Sequence, residues 1–138
     1  MFEADFSKDN VTSPKMRILL AEDDHAIRRF IEITLQRANY DVLAAEDGLS
    51  AMKLALSNQI NAVVADAMMP NLGGYDLCRI LRQNPLLKNI PFIILSGMEQ
   101  SKIANTECQA DAYLLKGNDL KERLTTKLSQ LLFQPAIV

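Results

Sequence analysis

The amino-acid sequence predicts an α/β fold, a doubly wound five-stranded parallel sheet in the order 2-1-3-4-5 with helices on both faces. Three observations predict this fold. Five short apolar runs recur along the 138 residues, and a segment with helical spacing of its apolar residues follows each run. The apolar runs are short and contain β-branched residues, as is typical of strands. Strands that alternate with helices in this way pair in parallel through right-handed crossovers.

The first strand and helix follow a polar N-terminal segment. Residues 1–14 lack periodicity and end in Ser-Pro, which disfavours helix, so we expect a flexible arm there. Residues 15–21 are apolar throughout, as is typical of a strand covered on both faces. Asp24 is the expected N-cap of a helix that ends near Asn39. The apolar positions of this helix are Ile27, Phe30, Ile31, Thr34, Leu35 and Ala38.

The same alternation continues to the end of the domain. Strands are predicted over residues 40–46, 61–66, 91–97 and 112–117. Helices are predicted over residues 48–58, 74–83, 98–109 and 118–133. Of the four predicted helices, the segment 98–109 has the weakest helical periodicity. Pro85 ends the helix predicted over residues 74–83.

Composition and charge exclude several classes of protein. Apolar residues make up 49% of the chain and charged residues 23%, as in an ordinary globular domain, and we expect one domain over residues 15–134 with a short tail at 135–138. A net charge of −2 without a basic stripe argues against direct nucleic-acid binding. No apolar stretch could span a bilayer, so we expect a cytoplasmic protein without a membrane partner. Cys78 and Cys108 lack metal-ligand spacing and are expected to be reduced thiols in helices.

Acidic, hydroxyl and ammonium side chains stand where the predicted strands end. Glu22 and Asp23 follow the first strand, Asp66 ends the third, Ser96 follows the fourth and Lys116 the fifth. In an open α/β sheet these ends meet at one edge, where ligands bind. Carboxylates held so close together either share protons or share a cation, and oxygen ligands suit Mg²⁺. With a lysine and a hydroxyl beside them, such groups suit phosphoryl transfer, with Asp66 as the nucleophile.

Four motifs in order carry a family resemblance. They are "LLAEDD", "VVADAMMPNLGG" with the pattern D-x-x-M-P-x-x-x-G, "IILSG", and "DAYLLK". From about residue 16 to residue 133 the chain resembles the receiver domain of two-component response regulators, of the CheY-like, single-domain type with a flavodoxin-like fold.

The resemblance implies a metal site and a phosphoacceptor. Glu22, Asp23 and Asp66 would position Mg²⁺ together with the backbone carbonyl of Met68, and Asp66 would accept the phosphoryl group. We further hypothesise that the side chains of Met68 and Met98 form apolar rims that hinder the water that hydrolyses the acyl phosphate. The protein would act as a phosphoacceptor that catalyses only its own phosphorylation and dephosphorylation.

The resemblance also implies a switch and partners. Ser96 and Lys116 would hold the phosphoryl oxygens, and Ser96 and Tyr113 would be the switch residues. A histidine kinase or a phosphotransfer protein would supply the phosphoryl group. The altered surface would then bind a downstream target protein.

Some residues depart from the family pattern. Gly117 follows Lys116 where the family usually has a proline in a cis peptide, so we expect a trans link or an unusual turn that glycine accommodates. Gln109 stands where the family usually has glycine, and Glu22 replaces the more common aspartate. The chain before Tyr113 is slightly shorter than usual, which predicts a short or irregular fourth helix in the family's order.

Other functions remain as alternatives. A flavodoxin-like domain could bind FMN, but three acids would repel its phosphate. A phosphatase of the haloacid dehalogenase type needs a second aspartate where this chain has Met68. Two further alternatives lie within the family. The chain could be the receiver of a larger regulator with a DNA-binding or enzymatic output domain, or a degenerate receiver that signals without phosphate.

Overall fold

The computed structural model describes residues 14–97 and 108–133. The N-terminal arm up to residue 13, most of the predicted helix 98–109 and the tail from residue 134 therefore lie outside the described residues. The strands are β1 (Arg17–Ala21), β2 (Asp41–Ala45), β3 (Ala62–Asp66), β4 (Phe92–Ser96) and β5 (Ala112–Leu115). The helices are α1 (His25–Arg37), α2 (Gly48–Ser57), α3 (Gly74–Arg82) and α4 (Leu120–Leu132).

The five strands form one parallel sheet in the order β2-β1-β3-β4-β5, which confirms the predicted topology. β3 and β4 are buried along their whole length and β1 is buried from Ile18 onward, because these strands have neighbours on both sides and helices on both faces. β2 lies at one edge, and most of its residues are partly or fully exposed. β5, at the other edge, is also partly exposed and ends at Leu115, two residues earlier than the sequence predicts.

Helices cover both faces of the sheet and form two core layers. Leu19 points into the layer that α2 and α3 cover, where Leu77 of α3 is fully buried. Leu20, the next residue along β1, points into the layer of α1 and α4, with Leu35 and Leu124. This alternation follows from the two-residue period of a strand. No helix in the described ranges is long and apolar enough to cross a membrane.

Helix α1 confirms its predicted start and corrects part of its predicted face. The side chain of Asp24 accepts a hydrogen bond of 2.9 Å from the N–H of Ile27, as expected for an N-cap. The side chain of Phe30 is 50% exposed, and Ala38 is exposed as well, so these two positions do not face the core. Helical spacing identifies an apolar stripe, but the edge of that stripe depends on how the helix rolls on the sheet.

The backbone explains why Gln109 is a costly departure from glycine. Gln109 has φ of 56°, in the left-handed region that L residues disfavour. We expect Gln109→Gly to raise the free energy of unfolding by roughly 0.5–1 kcal/mol, since it removes this strain but adds chain entropy to the unfolded state. Urea denaturation measures the change. Gln83→Gly is the matched control, because Gln83 has φ of −87° and glycine there should destabilise the protein.

Candidate functional site

The sheet brings Glu22 and Asp66 to its carboxyl edge on neighbouring strands. Glu22 follows β1 directly, and its N–H donates a hydrogen bond of 3.1 Å to the carbonyl of Ala45 on β2. Asp66 is the last residue of β3, which pairs with β1. Glu22 is fully buried and Asp66 is 7% exposed. Two acids are therefore held nearly out of water by the ends of central strands.

Three carboxylates form one cluster at this edge. One oxygen each of Glu22, Asp23 and Asp66 lie within 4.8 Å of one another. Asp23 is exposed, so the cluster opens to solvent on its side. The second oxygen of Glu22, Oε2, accepts a hydrogen bond of 3.1 Å from the N–H of Asp24. An oxygen-only set of ligands with open positions matches the preference of Mg²⁺, which keeps several waters.

Lys116 supplies the positive charge that this cluster contains. Its Nζ lies 2.9 Å from Oε1 of Glu22 and 3.1 Å from Oδ2 of Asp66. Its backbone N–H donates a hydrogen bond of 2.8 Å to the carbonyl of Ser96. The peptide bond to Gly117 is trans, and Gly117 has no positive φ, so the first of the two expected geometries is the one found. Lys116 reaches the acids without the proline that the family usually has.

The ionisation of the site reflects burial and charge together. Burial raises the pKa of Glu22 and the charge of Asp66 adds to this rise, although Lys116 and the N–H of Asp24 oppose it. Burial alone would lower the pKa of Lys116, but its contacts with Glu22 and Asp66 outweigh burial and raise that pKa. Lys116 therefore stays charged.

The donor set tests whether the site suits a cation. Oε1 of Glu22 is buried, and its ion-pair partner is the Nζ of Lys116 at 2.9 Å. One lysine faces three carboxylates whose oxygens lie within 4.8 Å of one another, so a single positive charge does not balance the cluster. A divalent cation would offset the remaining negative charge, so the residues present fit Mg²⁺.

We expect Glu22→Gln to raise the free energy of unfolding at neutral pH when a chelator removes divalent metal. Because the pKa of Glu22 is raised in the folded state, its stabilising effect is complete below the ordinary value of 4.5 and is lost as the pH rises through the folded pKa. Glutamine avoids this loss and retains an oxygen that can accept the N–H of Asp24. Urea denaturation at about pH 4 and about pH 7 measures the difference, which should shrink at the lower pH.

The control for this prediction is Glu122→Gln, because Glu122 is exposed on α4. Added Mg²⁺ should narrow or reverse the difference in stability between Glu22→Gln and the wild type, since a ligand that binds the folded state stabilises it more when it binds more tightly. A Glu22→Gln protein that is less stable than the wild type at neutral pH without metal would contradict this account.

The loop after Asp66 is fixed by the start of α3. The N–H of Ala67 donates to the carbonyl of Leu95 at 2.8 Å, and the N–H of Gly74 donates to the carbonyl of Ala67 at 3.0 Å. A Cβ at Gly74 would lie 2.4 Å from the carbonyl oxygen of Asp66. The last position of the D-x-x-M-P-x-x-x-G pattern is therefore glycine for a steric reason. Met68 lies in this loop with its side chain 76% exposed, while Met98 lies outside the described residues.

The same loop is also held by the start of α2, which the sequence does not reveal. The carbonyl of Asn71 accepts a hydrogen bond of 3.1 Å from the N–H of Leu49. The side-chain amide of Asn71 donates a hydrogen bond of 3.3 Å to Oδ2 of Asp47. Leu72 has φ of 106°, which is strained for a residue other than glycine. A Cβ at Gly48 would lie only 2.0 Å from the carbonyl oxygen of Leu72. Two loops from separate strands thus pack backbone against backbone beside the site.

Arg28 is a second residue whose role the sequence does not reveal. Its guanidinium donates a hydrogen bond of 2.9 Å to the carbonyl of Glu22 and contacts Nδ1 of His25 at 3.1 Å. Arg28 therefore holds the turn that carries the first two acids. The contact depends on the direction in which α1 leaves the sheet, which residue spacing alone does not determine.

Ser96 lies on β4, which pairs with the strand of Asp66, and Tyr113 lies on β5, one strand further out. Ser96 is the buried last residue of β4 and pairs with Leu115 of β5. Tyr113 pairs with Ile94, two residues before Ser96, so its ring lies deeper along the sheet than the acids. The acids, Ser96 and Lys116 thus gather at one edge, and Tyr113 lies on the next strand.

The two cysteines are free, as the sequence predicts, and both are buried. Although 30 residues separate them, the Sγ of Cys78 donates a hydrogen bond of 2.9 Å to the carbonyl of Cys108. Their sequence spacing gave no sign of this contact, because α3 and the turn before β5 meet only in the folded chain.

Comparison with protein families and curated proteins gives a consistent result. The sequence model of the response regulator receiver domain matches residues 18–129. The response regulator ArlR of Staphylococcus saprophyticus is 36% identical over 121 residues, which cover 86% of this chain and 54% of ArlR. The DNA-binding dual master transcriptional regulator RpaA of Synechocystis is 37% identical over 110 residues, which cover 78% of this chain and 46% of RpaA. The chain thus spans about half the length of these relatives.

Solved structures with the same fold include two response regulators. A response regulator from Chloroflexus aurantiacus is 30% identical with a TM-score of 0.81, covering 88% of this chain and 100% of its own. The response regulator TrrA of Thermotoga maritima, in complex with Mg²⁺-BeF, is 28% identical with a TM-score of 0.76, covering 85% and 99%.

Proposed function

Because the chain belongs to the response regulator receiver domain family, we propose that Asp66 accepts a phosphoryl group from a histidine kinase or a phosphotransfer protein in a Mg²⁺-dependent reaction. One observation carries this proposal. The Nζ of Lys116 lies within 3.1 Å of a carboxylate whose cluster also contains Glu22 and Asp23. A nucleophile, a cation and further acids at one strand end are the groups that phosphoryl transfer requires.

The metal would be held by oxygen atoms of this chain. We assign Glu22, Asp23 and Asp66 as its side-chain ligands and the backbone carbonyl of Met68 as a further ligand. Bound Mg²⁺ would neutralise negative charge on the phosphoryl group as it is transferred. The complex of TrrA with Mg²⁺-BeF supports this choice of ion for a related protein. Glu22 reaches the cluster in spite of its extra methylene, since its oxygen lies within 4.8 Å of the others.

The transfer itself follows from the positions of the side chains. An oxygen of Asp66 attacks the phosphorus of a phosphohistidine, the P–N bond breaks, and the imidazole keeps the electron pair and takes up a proton. Lys116 stabilises the negative oxygens of the phosphoryl group, and the hydroxyl of Ser96 donates to one of them. Attack of water on the acyl phosphate later restores Asp66, with the exposed side chain of Met68 at the rim. The protein thus catalyses only its own modification.

The output would be a change of surface around β5. Phosphorylation draws Ser96 toward the new group, and Tyr113 turns, which shifts the population of two packings that a downstream protein distinguishes. We also propose that the protein is located in the cytoplasm. A receiver within a longer regulator with a DNA-binding or enzymatic domain remains the alternative, which the length and name of RpaA favour. The net charge of −2 still predicts that this chain does not itself bind DNA.

Incubation with acetyl phosphate tests the proposal without a kinase. We expect the intact mass of the wild type to rise by one phosphoryl group only when Mg²⁺ is present. Asp66→Asn should show no gain, because the amide is not a nucleophile of this kind. Asp76→Asn is the matched control, since Asp76 is exposed on α3 and should not affect labelling. A folded wild type without any gain would favour the degenerate, phosphate-independent receiver.

A further inference from the structure

Tyr113 is held on two sides of its ring. The ring stacks on that of Tyr75 from α3, with 6.4 Å between centroids and 28° between planes. Its Oη lies 3.3 Å from the Sγ of Cys108, at hydrogen-bonding distance for sulfur. The side chain is partly buried against the core layer of α2 and α3. Stacking and a polar contact together specify one position for this ring.

Cys108 is itself fixed in place. It is 1% exposed, and its carbonyl accepts the hydrogen bond from the Sγ of Cys78. Burial, with a contribution from the neighbouring thiol of Cys108, raises the pKa of Cys78 to about 12, so that thiol stays protonated and can donate. The Sγ that contacts Tyr113 thus belongs to a residue whose carbonyl is hydrogen-bonded to α3.

Arg82 at the end of α3 anchors the turn that follows Cys108. Its guanidinium donates to the carbonyl of Gln109 at 3.1 Å and to Oδ2 of Asp111 at 2.9 Å. The same oxygen of Asp111 accepts the N–H of Phe92 on β4 at 2.7 Å. The turn between Cys108 and β5 therefore cannot shift without breaking contacts to both α3 and β4.

These contacts connect to the acidic site through short stretches of backbone. Tyr75 follows Gly74, whose backbone packs against the carbonyl oxygen of Asp66. Tyr113 lies on β5, and Lys116, three residues later, directly follows the end of that strand. Lys116 in turn forms an ion pair with Asp66. A movement at Asp66 can therefore reach the ring from either side.

We propose that Tyr75 and Cys108 are positioning residues that form a latch on Tyr113 and thereby set the population of its alternative position. This inference rests on the proposed function, because the position of Tyr113 matters for signalling only in a receiver. Removal of the contact with Tyr75 or with Cys108 destabilises the position that the Tyr113 ring has in the structure but not its alternative position. The population of the alternative position should then rise about two- to tenfold, the range expected for one modest contact.

Fluorine NMR can observe the ring directly. The chain has three tyrosines, so protein labelled with 3-fluorotyrosine should give few fluorine signals. The signal that is lost in Tyr113→Phe is assigned to Tyr113. The latch variants are Cys108→Ala and Tyr75→Leu. Cys108→Ser and Tyr75→Phe are the conservative variants, since serine supplies a hydroxyl in place of the thiol and phenylalanine keeps a stacked ring. Tyr40→Phe is the control, because Tyr40 is buried in the other core layer.

We expect a second Tyr113 signal, or a shift toward its position, to increase about two- to tenfold in both latch variants. The conservative variants should return the signal toward that of the wild type, and the control should leave it unchanged. Loss of stability alone would not be rescued by a ring or a hydroxyl in this way. If the Tyr113 signal of both latch variants matches the wild type, the latch does not exist.

The measurement is made on unmodified protein, so it decides the latch whether or not Asp66 can be phosphorylated. Acetyl phosphate added to the same samples tests the proposed function separately. A wild type that gains a phosphoryl group while the latch variants keep the wild-type Tyr113 signal would overturn the latch alone. If one latch variant does not fold, the other latch variant decides, and a Tyr113 signal in it that matches the wild type would overturn the latch.

Discussion

Lys116→Met is expected to lower the rate of phosphorylation by acetyl phosphate by about 10²–10³-fold, the effect of removing one group that stabilises the transition state of such a reaction. The physical reason is the position of Nζ, 3.1 Å from Oδ2 of Asp66 and 2.9 Å from Oε1 of Glu22. A phosphoryl group that arrives at Asp66 would find no other positive side chain placed like this among the residues that the structure describes. Time-resolved intact mass measures the rate.

A second readout separates this effect from damage to the metal site. Lys116 is a cation among acids, so its removal should leave Mg²⁺ affinity unchanged or tighter, as measured by calorimetry. Lys121→Met is the matched control, because Lys121 is exposed on α4 and its loss should affect neither property. A normal phosphorylation rate in Lys116→Met would remove this lysine from the reaction. A parallel loss of Mg²⁺ binding would show that its role is structural.

Gly48→Ala is expected to lower the free energy of unfolding by roughly 2–4 kcal/mol, at the upper end of the cost of inserting one methyl group into a packed site. The new Cβ would lie 2.0 Å from the carbonyl oxygen of Leu72 and 2.8 Å from its Cβ. The backbone of Leu72 already has an unfavourable φ of 106° and cannot move without disturbing the loop that follows Asp66. Urea denaturation gives the free energy.

Gly97→Ala is the control for this prediction, because a Cβ at Gly97 would meet no atom of the residues that the structure describes within 4 Å, and the φ of Gly97 is not positive. We expect that change to stay within about 0.5 kcal/mol of the wild type. Since the Leu72 loop also carries Met68, Gly48→Ala should in addition slow the phosphorylation of whatever fraction remains folded. Equal stability of the two variants would mean that the two loops do not pack as described.

The sheet and the acidic site could be predicted because both follow from short-range patterns. Apolar runs locate the strands, and alternation with helices makes those strands parallel. Once they are parallel, Glu22, Asp66 and Lys116 must gather at one edge, although they are distant in the sequence. The separations of 2.9 Å and 3.1 Å confirm this convergence. Membership of the receiver family is established by the match over residues 18–129.

The groups that support the site could not be predicted, because they depend on how loops and helices approach one another. The hydrogen bond from Arg28 to the carbonyl of Glu22 requires a particular direction of α1. The fit of Gly48 against Leu72 requires two loops to meet backbone to backbone. The exposure of Phe30, which spacing places in the core, depends in the same way on the roll of α1. Residue patterns describe the faces of single elements and not their contacts.

The central claim is that Asp66 carries the phosphoryl group, and chemical trapping of the acyl phosphate tests it most directly. Protein treated with acetyl phosphate and Mg²⁺ is reduced with borohydride, which converts a phosphorylated aspartate to homoserine. It is then digested with trypsin. The peptide between Lys53 and Arg79 contains only Asp66 and Asp76 as acids, so its fragment ions distinguish the two. The account predicts homoserine at position 66, dependent on Mg²⁺. Homoserine at any other position, or none in a folded protein that binds Mg²⁺, would contradict it.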